Sequence, residues 1–315
     1  MFLQIAAARC LRFGAGMSMS LPDQDESLFW RAAPVIFVLF WAGGYTFAKL
    51  GLPYIEPMTL LALRYGLAVL VLLPVLLVHR PVWPQGARHW AVVAISGFVI
   101  QCLYFGGAYV AMENGMNAGT TALIMALQPI LVATLAPLVG AGRTNARLWL
   151  GLLLGLLGVV IVILGGRTVG PSPWIAVPFA VSALLAITGA TLFEKWHGRR
   201  TDPVLGGIVQ YAVGFAVMVP VALWFGLGQV IWTGELAISL AYLVLANSIV
   251  SISLFVGLVQ RGDATRISSL MYLVPPLAML VAWLVLGEVM TPTAMAGMAV
   301  CVTGVWLVNR ASRAR

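Results

Sequence analysis

A shift of 146 positions lays residues 31–163 over residues 177–309 without a gap, and 25 of the 133 pairs are identical. Chance matching in so apolar a chain gives roughly half of that, because a few residue types dominate. The identities include informative types: Gly43 with Gly189, Phe47 with Phe193, Lys49 with Lys195, Pro57 with Pro203 and Tyr65 with Tyr211. They continue with Pro74 and Pro220, Met125 and Met271, Pro129 and Pro275, Gly151 and Gly297, and Gly158 and Gly304. Each copy reads as five membrane-spanning helices. Five is odd, so the second copy lies upside down relative to the first, and inverted repeats of this kind build a central site open to either side in turn. The expected fold is all-α and integral to the membrane, with ten transmembrane helices in two inverted five-helix repeats, and transport is the leading functional expectation.

Composition agrees with the repeat. The chain is 61% hydrophobic and 9% charged, against about 25% charged residues in a soluble domain. Ten segments meet the requirement of about 20 apolar residues per crossing: 31–50, 57–78, 90–111, 119–139, 147–165, 174–194, 204–226, 237–259, 268–287 and 292–309. Their apolar runs are continuous and not alternating, which excludes a β-barrel. The expected organisation is an N-terminal tail (1–29), repeat 1 (30–166), repeat 2 (174–310) and a C-terminal tail (311–315), with Met1, Met17 and Met19 as candidate starts.

The net charge of +8 reads as a topology signal. With the N-terminus placed in the cytoplasm, fifteen basic residues fall on that side and Lys49 and Arg167 on the other, as the positive-inside rule requires. Both termini are then cytoplasmic, the expected location is a bacterial inner membrane, and no nucleic-acid partner is needed. Cys10, Cys102 and Cys301 have no metal-type spacing and read as packing residues. No metal or other cofactor is expected.

Polar groups inside a membrane are costly and tend to face a cavity or a partner. Trp41, Tyr45 and Lys49, spaced i, i+4, i+8, share one helical face, as packing, interface belt or cavity lining. Lys49 and its mate Lys195 either snorkel to the interface or meet an anion at a cavity rim. Arg64 lies two turns into the second helix, opposite Gln210 in the repeat. It reads either as a clamp on the adjoining loop through Glu56 or as a contact for a substrate carboxylate. Gln101 and Asn247 fall opposite each other under the 146 shift, with Tyr104 and Ser251 extending their faces. Those amides either line one central chamber or bond helix to helix. Gln128, beside Pro129, and Tyr272, three before Pro275, are placed to close such a chamber, lined from helices 1, 3, 4, 6, 8 and 9. The Gly151, Gly155, Gly158 ladder reads as close packing, at a repeat seam or in a homodimer.

Catalysis finds little support. His79, His89 and His197 fall in predicted loops without ligand spacing, and there is neither a paired carboxylate motif nor a P-loop. A polytopic enzyme acting on lipid and a non-transporting scaffold or sensor are the rival classes.

The segment Trp41-Ala-Gly-Gly-Tyr-Thr-Phe-Ala-Lys49, followed by Pro57 and Leu63-Arg64-Tyr65, resembles the first two helices of the EamA family of the drug/metabolite transporter superfamily. Ala118-Gly-Thr-Thr-Ala-Leu running to Gln128-Pro129 resembles that family's fourth helix, and Gly287-Glu288 with Gly297 and Gly304 resembles the end of its second repeat. The likeness implies ten helices in two inverted repeats, cytoplasmic termini, and export or exchange of amino acids and related metabolites as the small-molecule partner. One departure stands out. The first repeat carries Gly140-Ala-Gly-Arg143 where the family often has Gly-Glu, so Glu288 reads as a helix-end structural group.

Overall fold

The computed structural model describes residues 28–79, 83–135, 146–165, 173–197, 201–224, 230–251 and 273–313, with Pro81, Pro137, Ser253 and Leu254. Nearly all of the expected N-terminal tail, Cys10 and Tyr272 lie outside these residues. The helices are α1 (Leu28–Gly51), α2 (Pro57–His79), α3 (Ala87–Glu113), α4 (Ala118–Met125 and Gln128–Leu135), α5 (Ala146–Gly165), α6 (Pro173–His197), α7 (Pro203–Trp224), α8 (Gly234–Ser251), α9 (Val274–Leu286) and α10 (Pro292–Arg313). These ten match the ten expected spans. Six are long and apolar enough to cross a membrane and the other four are shorter apolar helices, by length and composition.

The repeat is visible in how the helices begin. Glu56 precedes Pro57 and accepts from the Thr59 N–H at 3.0 Å, and its repeat mate Asp202 precedes Pro203 and accepts from Val204 and Leu205 at 3.0 and 3.1 Å. An acidic cap with proline at the first helical position satisfies donors that the helix leaves orphaned and starts α2 and α7 alike. The chain then threads alternately between two faces. On one, the Ile231 N–H of the α7–α8 connection donates to the Tyr54 carbonyl of the α1–α2 connection at 2.9 Å. On the other, His89 and Thr201 meet at 2.8 Å.

Three departures from uniform α-helix matter for the centre of the molecule. The α4 span, expected to be continuous over 119–139, is interrupted by a turn at Ala126–Leu127. Pro129 has no N–H to donate and its ring crowds the preceding turn, so the helix restarts there. The other two are wide π turns, Phe98–Tyr104 in α3 and Tyr242–Ser251 in α8. The 146 shift superposes them, and they contain Gln101 and Asn247. Each extra residue in such a turn rotates the register beyond it by about 100°.

Packing follows the inverted symmetry. The mates α2 and α7 lie against each other, with Tyr65 and Tyr211 stacked at 5.8 Å between ring centroids. Helix α1 packs on α8 and α9, while α6 packs on α3 and α4. The mates α5 and α10 meet through glycine. A Cβ on Gly158 would lie 2.5 Å from the Cys301 nitrogen and the Gly297 oxygen, and one on Gly304 2.7 Å from the Gly151 oxygen. The glycine ladder therefore serves the seam between repeats within one chain.

Candidate functional site

The centre is organised by Arg64. It is 2% exposed and lies about two turns into α2. Nη1 donates to the Tyr109 hydroxyl at 2.8 Å and Nη2 to Asn247 Oδ1 at 2.8 Å. Nε and Nη2 both donate to Ser248 Oγ at 3.2 Å. The guanidinium carbon lies 4.5 Å from the Phe105 ring centroid, a cation–π contact. Burying a cation is tolerable only when its donors are satisfied, and here the acceptors are neutral and come from α3 and α8. The clamp on Glu56 is not formed: Glu56 turns to Thr59, through both its backbone N–H and its hydroxyl. Arg64 points across the molecule, and joins repeat 1 to repeat 2.

The π turns make that reach possible. Asn247 sits in the wide turn of α8, where Nδ2 also donates to the Phe40 carbonyl of α1 at 3.3 Å. Gly44 clears the space, since a Cβ there would lie 2.6 Å from Asn247 Nδ2. In α3, the wide turn leaves the Gln101 carbonyl free of the ordinary ladder, and the Tyr65 hydroxyl donates to it at 2.6 Å. The Gln101 side chain is buried, with Oε1 lacking any partner. Tyr104, on the same turn, meets Tyr45 of α1 hydroxyl to hydroxyl at 2.8 Å. The result is a closed cluster of phenols and amides around one cation.

Other residues singled out from the sequence have separate duties. The Ser251 hydroxyl donates to the Ala246 carbonyl at 3.0 Å and so completes its own π turn. Gln128 Nε2 donates to Thr191 Oγ1 at 2.8 Å, tying α4 to α6. Trp41 is partly buried and tilts against Phe37 at 5.7 Å. Lys49 is held by partners, two of which, Asn117 and Glu288, line a surface cavity. Its Nζ lies 2.9 Å from Glu288 Oε1 and also donates to the Met116 carbonyl at 2.7 Å and Asn117 Oδ1 at 3.3 Å. Glu288 Oε1 in turn accepts from the Ala118 N–H at 3.0 Å, capping α4. Gly287 aims that carboxylate: its φ of 66° is the left-handed conformation that ends α9 and turns the chain.

Sequence reasoning missed Tyr65, Phe105, Tyr109 and Ser248. Tyr65 and Ser248 are chain neighbours of residues it did name, Arg64 and Asn247. Tyr109 is five residues from Tyr104, which places the two on different faces of a regular helix; only the π turn upstream explains where α3 aims them.

Residues 29–164 and 174–310 each match the EamA-like transporter family. The Bacillus subtilis (strain 168) protein named uncharacterized transporter YvbV is 24% identical over 281 residues, covering 88% of this chain and 90% of its own. The Escherichia coli (strain K12) uncharacterized inner membrane transporter YedA is 25% identical over 284 residues, 87% of this chain and 89% of its own. A Salmonella typhimurium protein named probable amino-acid metabolite efflux pump is 24% identical over 293 residues, 87% and 92% of the two chains. Two matched copies, ten helices and a buried polar centre make this chain a multi-pass membrane protein and a transporter, not an enzyme: it belongs to the EamA-like transporter family.

Proposed function

We propose that the chain is a permease that exports or exchanges small metabolites, amino acids or related solutes, across a bacterial inner membrane by alternating access. The observation that carries this reading is the bond from Arg64 to Asn247, 2.8 Å long and made between the two inverted repeats at a closed polar centre. A site shared by two repeats changes its exposure when one repeat rocks against the other. The aromatic and amide groups around it suit a small polar solute better than a multiply charged one. The relative from Salmonella typhimurium, by its name, gives the amino-acid class independent support. The count of basic residues supports cytoplasmic termini, and the repeats are assigned to 30–166 and 174–310 on the same internal alignment.

The test is counterflow in liposomes containing the purified protein, with a panel of labelled amino acids and nucleosides. Exchange of at least one amino acid is expected, and it should vanish in the Gln101→Ala, Asn247→Ala double variant while the protein stays folded. Uptake of phosphorylated solutes with amino acids ignored would overturn the substrate class. Undiminished flux in the double variant would move the site elsewhere.

A further inference from the structure

Arg64 is a charge without a counter-charge. Among the described residues the acids all lie at or near helix ends: Glu56 and Asp202 cap α2 and α7, Glu288 caps α4, and Glu113, Glu194 and Glu235 sit near the ends of α3, α6 and α8. None is buried with Arg64. Its partners are a phenol, a serine hydroxyl and a carboxamide. Hydrogen bonds from a guanidinium to neutral oxygens are weaker than those to a carboxylate, which takes two parallel N–H groups at once. A carboxylate would give this arginine the stronger, bidentate bond, although taking both charges out of water offsets much of that gain when the acid is fixed in the protein. Neutral acceptors leave the cation able to trade them for a stronger, mobile one.

We infer that Arg64 reads the solute by its carboxylate, and that the chamber takes monoanionic carboxylates whether or not they carry an ammonium group. The inference rests on the permease reading above and narrows its substrate class. One cation neutralises one monoanion; a dianion would leave a net negative charge in a low-dielectric interior. An ammonium group meets no buried acid. Among the described residues it finds uncharged acceptors, the unpartnered Gln101 Oε1 among them, and the faces of the surrounding rings, enough to accommodate it and not enough to require it. The carboxylate is thus the obligatory feature of the solute, and the amine is optional.

The probes are L-phenylalanine, 3-phenylpropionate and phenethylamine, which share a ring and differ in charge. Thermal unfolding of the purified full-length chain in detergent is measured with each, beside counterflow in liposomes. Phenylalanine and phenylpropionate should both raise Tm, and phenethylamine should leave it unchanged. Arg64→Gln should abolish both shifts. Because that variant risks misfolding, Asn247→Asp is the second: it sets a carboxylate on Arg64 from within at the expense of the Nδ2 bond to the Phe40 carbonyl, its folding is checked by size-exclusion chromatography, and it should weaken both carboxylate probes at least tenfold. Protection by phenethylamine equal to that by phenylalanine overturns the inference, as does a carboxylate shift that survives in Asn247→Asp. Counterflow of phenethylamine in that event leaves the permease reading standing. No shift with any of the three overturns the inference, and counterflow of the wider panel then decides the permease reading separately.

Discussion

Lys49 of α1 and Glu288 of the α9–α10 turn form an ion pair of 2.9 Å that ties the first helix of one repeat to the end of the other. The repeat mate of Lys49 is Lys195, but the mate of Glu288 is Gly142. In the sequence, then, the acid of this pair has no acidic counterpart at the matching position of repeat 1.

Glu288 has two separable roles. Glu288→Ala removes both the cap on α4 and the counter-charge of Lys49, at an expected cost of about 2 kcal/mol. Glu288→Gln keeps an oxygen for the Ala118 N–H and should recover about 1 kcal/mol of that. Thermal unfolding should rank wild type above Glu288→Gln and Glu288→Ala last.

Gly158 and Gly189 make a matched pair of tests. A Cβ at Gly158 strikes backbone 2.5 Å away, whereas one at Gly189 meets nothing within 4 Å. Gly158→Val should abolish folded protein on size-exclusion chromatography. Gly189→Ala should be neutral or stabilising by up to about 1 kcal/mol, the intrinsic helix preference for alanine.

Gly44→Ala should act on the centre without touching Arg64. The added methyl pushes Asn247 off its position and costs a charge-assisted hydrogen bond, about 1.5–3 kcal/mol. Counterflow should fall at least about tenfold, with expression unchanged; wild-type flux would show that the Arg64–Asn247 bond is dispensable.

Tyr65→Phe leaves the Gln101 carbonyl of the π turn without its donor. An interhelical hydrogen bond in a membrane protein is worth about 0.6–2 kcal/mol, so Tm should drop measurably while the discrimination between carboxylate and amine stays as in wild type. A change in that discrimination would mean that Tyr65 contacts the solute.

Helix number and order were legible because they follow from hydropathy and from a repeat that survives in identities such as Tyr65 with Tyr211. Gln101 and Asn247 were legible as mates for the same reason. Their unlike roles were not: Asn247 holds Arg64, while Gln101 Oε1 has no hydrogen-bond partner. Both outcomes depend on π turns, which leave no mark in an apolar periodicity; that of α3 lies against α6 and α7, and that of α8 against α1 and α2. The break in α4 could be seen only as Pro129, a residue that kinks some helices and interrupts others. The pairing of Lys49 with Glu288 joins residues from opposite ends of the chain, and it needs the left-handed turn at Gly287 to bring them together.

The glycine contacts between α5 and α10 have a mechanical meaning. Side chains form a layer that deforms when helices slide, by changing rotamers at small cost. Where backbone rests on backbone, at Gly158 against Gly297 and Gly304 against Gly151, no such lubricant exists and a slip of even half a residue drives main-chain atoms into each other. On the permease reading proposed above, rocking of one half against the other turns about this contact and does not slide along it.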